Sequence, residues 1–276
     1  MANLRAIRMR IKSVESTRQI TKSMKMVAAA KLRKTQAASQ RLRAFADRSG
    51  QILRSLGGEL PREGNPLLTP HAENKTVCYL LIVGNRGLCG TYHHSLLRFW
   101  EELRAAEERE LLFWVAGRWG KEQLGTPDRR FEISDAPSSR EARELAEALK
   151  ELYRSGQADE IVLVYQQFRS VLQQSPGKKT LLPLAVPEDG GETDVIYEPD
   201  AVQVRDRLAE LVLETTVHAA LLEARSGEHA SRMTAMTSAA DNTEELIAEL
   251  TLELNHARQA AITTEISEIV GGAAAL

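Results

Sequence analysis

Two stretches of this 276-residue chain run without helix-breaking residues for far longer than a compact domain helix allows. From Ala2 to about Leu56 there is no proline, and no glycine before Gly50. From about Asp200 to Leu276 proline is again absent, and Gly227 is the only glycine before Gly271. In the first stretch apolar residues fall at Leu4, Ile7, Ile11 and Val14, then at Met24, Val27 or Ala28, and Leu32. Small polar residues break that seam between Thr17 and Thr21. In the second they fall at Leu208, Leu211, Val212 and Leu222, then at Ile247, Leu250, Leu254, Ala257 and Ala261, with Ile262, Ile266 and Ile269 continuing after a small phase shift. Spacings of three and four predict helices with one narrow apolar stripe. At about 1.5 Å per residue such helices extend roughly 75 and 105 Å.

A narrow stripe needs a cover, and the charge distribution says which. The formal net charge of −2 hides a segregation. Residues 1–43 carry 12 Lys and Arg against the single acid Glu15, and residues 200–276 carry 13 acids against 5 arginines. A basic helix laid beside an acidic one attracts along its flanks. An antiparallel coiled coil of the two ends is therefore expected, with the last part of the longer helix left without an intramolecular partner.

The middle reads differently. Residues 57–74, with Gly57-Gly58, Pro61, Gly64-Asn65-Pro66 and Pro70, read as a loop. Thr76–Val83, Leu111–Ala116 and Glu160–Tyr165 are continuous apolar runs of strand length. Lys179–Val186 is a fourth, which Pro183 marks as an edge strand or strand end, and Arg129–Ser134 is a possible short strand. Helical patterns at about His93–Arg109 and Ser138–Ser155 alternate with them. The expected fold is α/β: a central Rossmann-like domain over 75–195, between a coiled-coil helix over 1–57 and another over 200–276.

Chemistry-bearing clusters are few. Gly84-Asn85-Arg86-Gly87-Leu88-Cys89-Gly90 follows a strand and precedes a helix, where a glycine-rich loop can cradle phosphate. It lacks the Gly-Lys-Ser/Thr of a P-loop, and a structural turn is the favoured reading. His93-His94 has no companion ligand nearby, so no metal is expected, and no cofactor either. Cys78 and Cys89 form no metal or disulfide spacing; Cys89 is expected to be buried. No apolar run reaches a membrane-spanning length. Three competing readings stand beside the coiled-coil one. A basic arm could bind nucleic acid, but the apolar seam argues against it. An α/β enzyme would need a nucleophile–base set, and the loops after Val83 and Val164 offer only Asn85, Arg86, Gln166 and Gln167. A membrane-surface helix would need a wider stripe with more aromatics.

Two long blocks are more specific. Ile7–Gln36 resembles the amino-terminal helix of F-type ATP synthase gamma subunits, and Glu228–Leu276 resembles their carboxy-terminal helix. Between them Arg86–Gly90 (RGLCG), Leu181–Leu184 (LLPL) and Tyr197-Glu198-Pro199 stand in the family's order, although Thr91-Tyr92-His93 replaces the Gly-Phe-Asn that often follows RGLCG. The resemblance implies a non-catalytic rotary shaft inside a ring of three alpha and three beta subunits, seated on a ring of membrane-embedded c subunits and touching epsilon. It implies peripheral attachment at the cytoplasmic face of a bacterial plasma membrane, and no thiol switching, because the cysteine-bearing insert of chloroplast-type members is missing. By the same resemblance Lys22, Met24 and Lys25, with Arg33, face an acidic loop of beta. Arg258, Gln259 and Thr263 face the catalytic ring, and Tyr197 and Glu198, read as the start of the return helix, lie near the c ring and epsilon. For each, ordinary packing or a solvated face is the competing reading.

Overall fold

The computed structural model describes residues 2–59, 64–185 and 197–274. The elements run α1 (Ala2–Glu59), β1 (Thr76–Ile82), α2 (Tyr92–Ala106), β2 (Glu110–Ala116), β3 (Arg129–Phe131), α3 (Ser139–Arg154), β4 (Glu160–Phe168), β5 (Gln174–Leu182) and α4 (Ala201–Ala274). The chain divides into two units: Met1–Ala28 with Arg232–Leu276, and Ala29–Ser231.

In the first unit the inward faces follow the spacing of the sequence. On α1, Ile7 and Ala28 are buried, and Leu4, Ile11, Val14 and Met24 are half-buried. Thr21 is buried in the break of the seam, and its hydroxyl donates to the carbonyl of Arg18 at 2.9 Å, so it enters the core without an unmet donor. On α4, Met236, Ala240 and Leu250 are buried. Leu254, Ala257 and Ala261 are half-buried behind them. Glu244 accepts ion pairs from Arg18 at 3.3 Å and Lys22 at 3.8 Å. Exposed pairs of this kind contribute about 0–1 kcal/mol each. Most of the basic charge of α1, including Arg5, Arg8, Arg10, Lys12 and Lys25, faces solvent. The apolar stripe is therefore the main source of cohesion, and the opposite charges add little.

The second unit holds a five-stranded sheet of order β3-β2-β1-β4-β5. The first four strands are parallel, and β5 returns antiparallel along β4. β1 is central and buried on both faces, which accounts for its unbroken apolar run. Val77, Tyr79, Leu81 and Val83 pack with Leu96 and Trp100 of α2 on one face. Cys78, Leu80 and Ile82 pack on the other with Leu145 and Leu149 of α3 and with Leu213, Val217 and Leu221 of α4. Ser138 caps α3 in a reciprocal box with Glu141. In this unit Thr35 of α1 meets Ser226 of α4.

Some boundaries differ from the sequence reading. α1 continues through Gly57 and Gly58 to Glu59. β5 begins at Gln174, ahead of the apolar run, and includes Pro176 and Gly177. Edge strands tolerate proline because one side of the ladder faces solvent. The end of that run, Val186, lies outside the described residues. Gly227 sits inside α4 for a packing reason: a Cβ there would lie 3.2 Å from the Tyr92 ring, and the Tyr92 hydroxyl donates to the Ala224 carbonyl at 2.8 Å.

Candidate functional site

The turn after β1 is held by a helix of its own chain. The carboxylate of Glu228 accepts from the backbone N–H of Asn85 at 3.3 Å and of Arg86 at 3.4 Å. These are the amides that a phosphate-cradling loop would present to a ligand, and here they meet a carboxylate of the same chain. Leu88 and Gly90 take positive φ values of 59° and 57°, which lets the chain turn sharply into α2. Gly84 has no room for a side chain, since a Cβ would fall 2.6 Å from His93 Cε1 and 2.9 Å from Glu228 Cδ.

Glu228 is paired in turn. Arg225, one turn earlier on α4, donates to it at 2.8 Å, and both side chains are only 1% exposed. Arg225 also donates to the carbonyls of Val83 and Ile133, each at 3.2 Å, and to Asn85 Oδ1 at 3.0 Å. The Asn85 amide donates to the Ile133 carbonyl at 2.8 Å and to Asp135 at 3.0 Å. Asp135 accepts from Lys31 of α1 at 2.5 Å. Burial works against the Asp135 charge, but Lys31, Asn85 and Arg86 outweigh it and hold the carboxyl well below the usual carboxylate range.

His93 donates through Nε2–H to the Arg86 carbonyl, 3.0 Å away, and stacks on Trp119 at 4.1 Å. Among the described residues no group of three His, Cys, Asp or Glu side chains could hold a metal ion. Cys89 is buried, its thiol directed at the Arg86 carbonyl 3.7 Å away. Burial, with help from Asp128, pushes the Cys78 thiol up to about 12, so it is no nucleophile at neutral pH. No described helix is long and apolar enough to cross a membrane.

The residues singled out from the sequence fall in three places. Lys22 and Lys25 are exposed on α1 and Met24 is half-buried between them. Arg258, Gln259 and Thr263 are exposed on α4, with the Thr263 hydroxyl donating to the Gln259 carbonyl at 3.0 Å. The structure does not bring these two sets together: Lys22 pairs with Glu244, about 21 Å along α4 from Arg258. Beyond Ala261, Ile262, Ile266, Ile269 and Val270 are exposed, Ile269 to 71%. Arg33 is exposed in the other unit. Tyr197 and Glu198 precede α4 and do not begin it; Asp200 caps the helix by accepting from Gln203 N at 2.9 Å. Glu198 lines an open cleft of about 730 Å³ with Arg154, Gln203 and Arg207.

The cluster of half-buried Lys31, Asn85 and Asp135 around the buried Arg225 and Glu228 was not singled out from the sequence. A usable signal was there: opposite charges at i and i+3 inside Ala-Arg-Ser-Gly-Glu-His-Ala, where small neighbours allow close approach on every side.

Comparison with known proteins adds the following. The family model described as ATP synthase matches residues 3–276. The chain is 41% identical over 281 residues to the ATP synthase gamma chain of Desulfitobacterium hafniense, covering all of both chains. It is 42% identical over 282 residues to that of Moorella thermoacetica, again over the full length of both. Among solved structures, a chain of the Euglena gracilis mitochondrial ATP synthase (OSCP/F1/c-ring, rotational state 3) superposes with a TM-score of 0.70 at 19% identity, covering 99% of this chain and 94% of that one. A chain of the Tetrahymena thermophila mitochondrial ATP synthase (central stalk/c-ring) gives 0.62 at 24% identity, covering 80% and 99%. At such identities the structural matches speak for the fold alone.

Proposed function

The chain belongs to the ATP synthase gamma-chain family, and from that premise we propose how its parts serve a rotary shaft that couples ion flow through a membrane ring to ATP synthesis or hydrolysis. The observation that carries the reading is geometric: helices of 58 and 74 residues stand before and after one five-stranded α/β sheet in the chain. The subunit is non-catalytic. Its work is to bind three equivalent catalytic partners differently at each angle, and so to bias their conformational equilibria in turn.

The paired helices lie inside the alpha–beta hexamer. Lys22, Met24 and Lys25, with Arg33, meet an acidic loop of beta; Arg258, Gln259 and Thr263 meet a beta loop further along α4. The exposure of all of these but the half-buried Met24 supports the assignments, and so do the exposed Ile262, Ile266, Ile269 and Val270, which suit a snug apolar sleeve. Tyr197 and Glu198 face the c ring and epsilon. The subunit is peripheral, held at the cytoplasmic face of a bacterial plasma membrane through the complex, and no nucleic acid or cofactor is involved.

The deciding experiment purifies alpha and beta with and without this chain and assays MgATP hydrolysis. One copy per three alpha–beta pairs with sustained turnover is the expected result. Identical assembly and turnover without the chain overturns the reading.

A further inference from the structure

We infer that the buried Arg225–Glu228 pair, with Asn85 and Asp135, is the joint through which twist passes between α4 and the α/β unit, so that these four are positioning residues for rotary coupling. The inference rests on the rotor reading and deepens it.

Leu213, Val217 and Leu221 anchor α4 in the core earlier in the helix, but a stretch of helix packed through small residues is poorly defended against turning about its own axis. Ala224, Gly227 and Ala230 are too small to interlock, and apolar contact has no preferred direction. Hydrogen bonds do have one. The Arg225 fork reaches the end of β1 through Val83, the following turn through Asn85, and the segment after β3 through Ile133. Glu228 binds the same turn from the next helical turn through the Asn85 and Arg86 amides. Any rotation of α4 at this level breaks contacts to three separate stretches at once. The second long helix is tied to the same point, because Asp135 accepts from both Asn85 and Lys31. A buried ion pair is a poor source of net stability, since desolvation offsets its attraction. What this one adds is direction.

The test is made in the assembled complex, with the catalytic ring fixed to a surface. A bead is attached through Leu172→Cys, at a hairpin residue 89% exposed. The native Cys78 and Cys89 are buried, so labelling is selective. The readout is the width of the bead's angular fluctuations while the rotor waits at limiting MgATP, together with ion pumping per ATP hydrolysed. The double variant Arg225→Met/Glu228→Leu approximately keeps volume and removes both charges of the buried pair together. It is expected to broaden the distribution and lower pumping per ATP while hydrolysis continues. Asp135→Asn, at a partly exposed position, is expected to broaden it less and serves if the double variant does not assemble. Leu149→Ala, which opens a cavity in the same unit away from the joint, controls for lost stability and is expected to leave the width unchanged. Arg225→Lys restores charge without the fork and is expected not to restore stiffness. Unchanged width in the double variant, or in Asp135→Asn if only that one assembles, overturns the inference, as does equal broadening in Leu149→Ala. A wild-type bead that never rotates would instead overturn the rotor reading itself.

Discussion

The hydroxyl of Ser226 on α4 lies 2.9 Å from the hydroxyl of Thr35 on α1, with both side chains buried. Each hydroxyl, with a single proton to give, also lies within reach of a carbonyl of its own helix, Leu222 for Ser226 at 2.8 Å and Leu32 for Thr35 at 3.0 Å, so two of the three bonds are made at a time. The helices are thus joined at this level by a polar contact in which neither partner depends wholly on the other. Thr35→Val should lower stability by about 1 kcal/mol, and Thr35→Val/Ser226→Ala by less than the sum of the two single changes. Denaturant midpoints of the four proteins check this; strict additivity would mean the hydroxyls do not interact.

Replacing Lys22, Lys25 and Arg33 together by Glu should lower coupled activity several-fold at low ionic strength. The loss should shrink as salt shortens the screening length to about 8 Å. Activity measured across a salt series decides it, since an unchanged rate and slope remove the electrostatic role from these residues.

Glu107 offers a pH test. Its side-chain hydrogen bonds to Arg109 outweigh burial and, with the Tyr79 hydroxyl, bring its carboxyl down to about 2. A carboxylate whose folded pKa is depressed adds stability that is full above its ordinary value near 4.5 and is lost as pH falls through about 2. Glu107→Gln should therefore cost about 1–2 kcal/mol at pH 7, allowing for solvent screening, and the difference from wild type should close as the pH approaches 2. Urea unfolding at both ends of the range checks this; a constant difference would assign the effect to lost packing.

Ala261 is half-buried at the end of the inward stripe of α4. Ala261→Asp places a charge where a narrow apolar surface is needed, and should reduce recovery of the complex while Ala261→Ser is tolerated. Normal recovery and turnover of the Asp variant would remove the snug placement proposed for this part of α4.

The helices were legible because a stripe at spacings of three and four survives any surroundings. Even the choice left open between Val27 and Ala28 has a simple outcome: Ala28 is 2% exposed and Val27 56%. Ala28 lies one heptad after the buried Thr21 and four residues before the buried Leu32, so it keeps the phase and Val27 does not. The inner parallel strands β1, β2 and β4 were legible because burial leaves a continuous apolar run. The first half of β5 was not, since an edge strand reading Gln-Ser-Pro-Gly-Lys-Lys carries no such run. The polar joint was least legible. Arg225 and Glu228 look like a solvated helical pair, and Asn85, which tells otherwise, is 140 residues from Arg225. Only the folded sheet brings them together.

In an open α/β sheet the turn after the first strand is a place where a mobile anion can come and go. Here Glu228 fills it with an anion covalently tethered to the same chain. A tethered ligand has an effective concentration that dilution cannot lower and that a free competitor must match. The occupancy of the turn is therefore insensitive to how much nucleotide or phosphate surrounds the molecule, so the subunit can work beside a changing supply of both while its own geometry stays the same.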